Sequence, residues 1–159
     1  MANRLRETVQ EALYPLLEGR GFARVKSKDS RFVFFVKRLP SDTHVLVFQW
    51  DKYGGERFVI NLSKLPSGNQ PEMLGPFDVE WLARLQPSGS SPRWWSTRKT
   101  LMGAITSLRL SDESATVASA VAAAIPQAEA WLKSGFVGSH VQLLAELPPN
   151  TSLERTRER

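Results

Sequence analysis

The chain of 159 residues contains no cysteine. This absence excludes disulfides, thiolate nucleophiles and cysteine-ligated zinc together. Histidine is scarce too, with only His44 and His140. One begins a strand-like run and the other a C-terminal segment, and neither has ligand spacing to another metal-binding residue. There is no Gly-x-Ser-x-Gly elbow to present a serine nucleophile, and "KYGGER" (52–57) reads as a turn, not as a loop that cradles phosphate. Paired carboxylates are sparse. Asp78 and Glu80 share one strand face and read as solvated. The sequence therefore calls for no cofactor and no metal, shows no catalytic signature, and leans away from an enzyme. Long apolar runs are missing as well. The longest, "VASAVAAAI" (117–125), falls far short of the ~20 residues that span a bilayer. The opening "MANRLRETVQEALYPLL" carries Glu7 and Glu11 and does not read as a secretory signal. The expectation is a cytoplasmic protein without a membrane partner.

Hydrophobic residues make up 42% and charged residues 23%, which is the composition of a soluble globular domain. A chain of this length buries roughly two thirds of its unfolded surface and needs no covalent staple. The net charge is +5 and unevenly placed. Arg20, Arg24, Lys26, Lys28, Arg31, Lys37 and Arg38 crowd the first third. Arg93, Arg98, Lys99 and Arg109 form a second group without a nearby acid. Two readings stand side by side. One is a solvated basic surface. The other is a surface for an acidic partner: a protein face, a nucleic acid or anionic lipid.

Residues 3–18 have the spacing of an amphipathic helix, with Leu5, Val9, Ala12, Leu13, Leu16 and Leu17 on one side. Pro15 should bend it or loosen its last turn. Gly19 and Gly21 are stop signals, and Phe22 is placed to seal the end. "RFVFFVKR" (31–38) reads as a central strand, apolar on both faces. "HVLVFQW" (44–50) and "ERFVINLS" (56–63) form a hairpin. A three-residue loop of Tyr53, Gly54 and Gly55 sets Trp50 against Phe58, Phe48 against Ile60 and Leu46 against Leu62, so all the large apolar side chains share one face. "KLPSGNQPEMLGPF" (64–77) is a loop. "DVEWLARLQ" (78–86) alternates as a fourth strand, with Val79, Trp81, Ala83 and Leu85 on one face and Asp78, Glu80 and Arg84 opposite. A helix opens at Ser111 or Asp112 and buries Val117, Val121, Ala124, Ala128, Trp131 and Leu132. Pro126 should kink or divide it. "SHVQLLAEL" (139–147) is read as a shorter last helix.

Two groups of residues are candidates for function. The hairpin pairing leaves Gln49 and Asn61 diagonal to one another on its second face, within reach of a hydrogen bond. They either satisfy each other within a covered sheet face or belong to a pocket, with Arg84 beside them. The second group is "RWWSTRK" (93–99). Adjacent tryptophans point in different directions, so Trp94 and Trp95 divide between a lid over the core and a stacking surface. Flanked by Arg93, Arg98 and Lys99, such a surface suits single-stranded nucleic acid.

The stretches "PLLEGRGFARVKSKDSRFVFFVKR", "VLVFQWDKYGGERFVINLS" and the "RL" and "WW" of "WLARLQPSGSSPRWWST" together resemble a bacterial family catalogued as domain of unknown function 4304. The matching positions are Gly21–Phe22, Gln49, Arg57–Phe58, Asn61–Leu62 and Trp94–Trp95. The chain departs from that pattern at "SKDSRF" and at Ser63, where glycines are expected. The resemblance implies an α+β domain with one antiparallel sheet, and it brings no activity. Residues 1–150 are accordingly read as a single α+β domain, and 151–159 as a polar, frayed tail. The domain consists of one mainly antiparallel four- to five-stranded sheet, packed with an N-terminal helix and a C-terminal helical pair. The functional expectation is a non-enzymatic protein-binding module, an immunity or accessory protein of a bacterial conflict system, whose partner has an acidic face. The alternatives are a nucleic-acid binder using Arg93, Trp94, Trp95, Arg98 and Lys99, and a small-ligand protein or enzyme with a pocket beside Gln49, Asn61 and Arg84.

Overall fold

The structure is a computed structural model and describes residues 3–68, 72–88, 93–97 and 113–144. Arg98, Lys99, Arg109, the Ser111–Asp112 cap, residues 145–147 of the expected last helix and the 151–159 tail lie outside these residues.

Helix α1 spans Arg4–Gly19 and starts where the sequence supplies a cap. The Asn3 side chain accepts a hydrogen bond from the Arg6 amide at 2.9 Å, satisfying one of the free donors of the first turn. Leu5, Val9, Leu13, Tyr14 and Leu17 are buried, while the expected Ala12 is exposed. Pro15 lies within the helix without ending it. Termination follows from Gly21, whose φ of 93° only glycine adopts easily. The Phe22 amide then donates to the Leu17 carbonyl at 3.0 Å, and its ring enters the core.

The sheet begins with β1 (Ala23–Ser27), a short strand that the sequence showed only as a charge cluster. β2 (Phe32–Arg38), β3 (Asp42–Trp50) and β4 (Arg57–Pro66) follow, each antiparallel to the one before. The hairpin register is the expected one: Trp50 faces Phe58, Phe48 faces Ile60 and Leu46 faces Leu62. Its turn requires glycine at Gly54, where φ is 76°. Three short strands come next: β5 (Met73–Leu74), β6 (Ala83–Leu85) and β7 (Trp95–Ser96). Helix α2 (Glu113–Ser134) runs unbroken through Pro126. Buried Val121, Ala124, Ile125 and Ala128 hold it on both sides of the proline. Strand β8 (Val141–Leu143) completes an eight-stranded sheet among the described residues. Its order is β5-β1-β2-β3-β4-β6-β8, with β7 also on β4 and only β5 parallel to its neighbour.

The α+β class holds, with more strands than expected and two corrections. The C-terminal helical pair is one helix and one strand. β6 exposes an outer edge whose backbone groups need partners. The Gln86 amide donates to the His140 carbonyl at 2.9 Å and the Leu144 amide to the Leu82 carbonyl at 3.3 Å. That pairing overrides the helical spacing of 139–147. Within 78–86, only Ala83–Leu85 is strand. The chain changes sides ahead of it: Val79 and Trp81 pack on one face of the sheet, Ala83 and Leu85 on the other. A turn closed by Asp78, whose carboxylate accepts from the Gly75 amide at 2.7 Å, leads into this segment.

Both helices cover one sheet face and touch each other. Tyr14, Phe35, Phe48, Phe58, Ile60 and Trp95 meet α2 there in one large apolar core. The second face carries a smaller cluster of Phe32, Phe34, Val36, Val45 and Val47 beneath Leu74, Val79 and Trp81.

Candidate functional site

On β3 and β4, alternation sends one residue in two to the second face. Val45 and Val47 use that face for apolar packing. The next position on β3 is Gln49, and the position across from Val47 is Asn61. β6 places Arg84 directly opposite Asn61, and β8 places Gln142 opposite Arg84. Gln49, Asn61, Ser63, Arg84 and Gln86 are all buried. They form a polar band beside the Phe32–Trp81 cluster, on the same side of the sheet.

The band is only partly satisfied. The Asn61 amide donates to Gln49 Oε1 at 2.9 Å, which is the diagonal pairing the hairpin register predicts. Asn61 Oδ1 is buried without a hydrogen-bond partner. Ser63 donates through its hydroxyl to the Glu80 carbonyl, which ties the 75–82 segment to the band. Gln86 Oε1 accepts from the Arg93 amide at 3.4 Å. Arg84 is 1% exposed, and its Nε and Nη2 have no partner. Desolvation by burial pushes its pKa down to about 10, still high enough to keep it charged at neutral pH. The structure thus seats the open Nε–Nη2 edge of a guanidinium on the residue opposite Asn61, whose carbonyl oxygen is also open.

The structure brings Gln49, Asn61 and Arg84 together and separates the tryptophans. Trp95 is the lid: it lies in the helix-side core, and its indole N–H donates to the Leu85 carbonyl at 3.0 Å. Trp94 is half-buried under the Arg57 guanidinium, 4.8 Å from its ring centre. Arg93 is exposed and joins the band only through its backbone amide. Ser63, Gln86 and Gln142 are members of the band that motif reading passed over. The signal for two of them was present, since Asn61-x-Ser63 and Arg84-x-Gln86 repeat polar residues with the period of a strand.

The basic cluster of the first third disperses. Arg20 pairs with Glu129 at 2.7 Å, Lys28 with Asp78 at 2.8 Å and Arg31 with Asp29 at 2.6 Å. Arg24 and Lys26 stay exposed on β1. Lys26 is in register with Met73 of β5, the strand at which the sheet ends. Met73 is 45% exposed and Phe77, a few residues on, 62%. Residues 76–81 line an open concavity of about 340 Å³. Among the described residues there is no cluster of three or more metal-ligating side chains, and no helix long and apolar enough to cross a membrane. No family model, curated protein or solved structure matches the chain.

Proposed function

We propose that this protein is a non-enzymatic protein-binding module whose partner presents apolar side chains rimmed by acidic ones. The observation that carries the reading is the sheet's terminal edge. Phe77 and Met73 are exposed there, and the exposed Lys26 of β1 is in register with Met73. Exposed aromatic and aliphatic side chains with like-signed charges around them mark a docking surface for a complementary protein. β5 offers only two residues of strand, so side chains carry recognition more than strand addition does. The setting we infer is that of an immunity or accessory protein of a bacterial conflict system, and kinship with the domain of unknown function 4304 family belongs to the same reading. Its net charge of +5 suits an acidic partner.

Affinity capture with the tagged chain, followed by site-specific substitution, tests this. An acidic protein should be retained by the wild type and by Tyr53→Asp, at the distant hairpin tip, and lost with Phe77→Asp and with Lys26→Glu. A chain that emerges alone, or a captured protein indifferent to Phe77 and Lys26, overturns the reading. Retention of nucleic acid with steep salt dependence would replace it with a polyanion-binding function.

A further inference from the structure

We infer that Arg84 is the anchor of a binding site for a small carboxylate that carries a neighbouring hydroxyl, with Asn61 as its second contact. This site lies on the second face of the sheet and is separate from the docking edge proposed above.

The argument begins with the edge of the guanidinium that is bare. Nε–H and the Nη2 N–H beside it point the same way and form a two-pronged donor. That fork matches the two oxygens of a carboxylate. The chain itself shows the match. Arg31 turns the same edge to Asp29, with Nε 3.1 Å from both carboxylate oxygens and Nη2 2.6 Å from one. At Arg84 the same two nitrogens meet nothing. A buried, fixed charge without a counter-ion destabilises the folded state. Apolar residues of equal size would fill the position better. A carboxylate brought by a ligand supplies the missing charge and both acceptors.

Asn61 defines the rest of the ligand. It stands directly across from Arg84 in register. One N–H of its amide donates to Gln49 Oε1, and its Oδ1 is buried and unpartnered. An unpartnered acceptor beside an unpartnered cation asks for one molecule with an anion and a donor a few ångströms apart. A hydroxyl next to a carboxylate meets that requirement. A bare halide does not.

Arg84 is closed off from solvent, so occupancy requires the cover of the second face to open. The 75–82 segment is fastened there by Trp81, stacked on Phe32 and Phe34 at 6.2 and 6.5 Å, and by the Ser63–Glu80 contact. Apparent affinity is reduced by the fraction of time the cover is closed. Millimolar probes are therefore appropriate.

The test is thermal unfolding of the full chain with acetate, glycolate and chloride at matched ionic strength. Glycolate should raise the midpoint by several degrees over chloride, and acetate by less. Binding to the folded state alone produces such a shift. Arg84→Met should abolish the glycolate shift. Asn61→Asp should abolish it too, because an internal carboxylate then occupies the fork. A titration of the wild type followed through its arginine Nε–H nuclear resonances covers the case in which neither variant folds. The most solvent-protected of those signals should move with glycolate. An unmoved midpoint and unmoved signals in the wild type overturn the inference, as does a glycolate shift that Arg84→Met retains or an acetate shift as large as that of glycolate.

Discussion

On the helix side of the sheet, Tyr14, Phe35, Phe48 and Phe58 pack ring to ring with centroids 5.0–5.9 Å apart. On the other side the same strands divide their length. Phe32 and Phe34 lie under Trp81, and then Gln49, Asn61, Ser63, Arg84 and Gln86 take over. Apolar burial contributes stability roughly in proportion to area and needs no particular geometry. Buried polar groups contribute only when each finds its partner. The helix side too holds two buried polar atoms without a partner, Tyr14 Oη and Trp50 Nε1, but among the described buried groups only the polar band leaves charged nitrogens unpaired, those of Arg84. An uncompensated cation in the interior costs stability, which makes Arg84 the first position at which to seek a role beyond packing.

The widest test of this contrast is Phe48→Ala. Phe48 is fully buried among Tyr14, Phe35 and Phe58. Its loss should cost about 3–5 kcal/mol in denaturant unfolding. Arg84→Met should act with the opposite sign. Removing a buried unpaired charge while keeping the volume should stabilise the chain by about 1–4 kcal/mol, read from the same urea midpoints. A loss of stability in Arg84→Met would mean that the guanidinium is already compensated. Smaller still is Asn61→Ala, expected to cost about 1–3 kcal/mol because Gln49 Oε1 then loses its donor. The double change of Gln49 and Asn61 to leucine should cost less than the sum of the two single leucine substitutions, since no amide is left unpaired.

The sequence showed the helix side clearly because its pattern is local. The hairpin register followed from one turn and two alternating runs, and the Gln49–Asn61 contact followed from that register. The second face was harder to read because it is assembled from distant pieces. Arg84 reaches Asn61 only after the chain crosses the sheet ahead of β6, and the alternation of Val79, Trp81, Ala83 and Leu85 hides that change of side. β8 was misread because its conformation is set by the open edge of β6 and not by its own residues. Ion pairs across long sequence separations, such as Arg20 with Glu129, likewise leave no trace in composition.

The helix side is not apolar to its end, and this gives the smallest expected effect. At the last row of that face, His44 lies opposite Lys37 on β2 and Lys64 on β4. Its Nε2 is 3.2 Å from Asp42 Oδ1. Burial lowers its pKa most; Asp42 pulls the other way, and Lys64 and Lys37 add to the lowering. The folded chain therefore binds a proton at His44 less readily than the unfolded chain does. Stability from this group is fully present above the unfolded value of about 6.5 and is lost as pH falls from there towards the lower folded value. Urea midpoints measured between pH 5 and 8 should fall on the acid side. His44→Gln should flatten that part of the slope, because a neutral amide there has no proton to gain. A slope of the opposite sign would mean that Asp42 outweighs the two lysines and that the row is held by an ion pair.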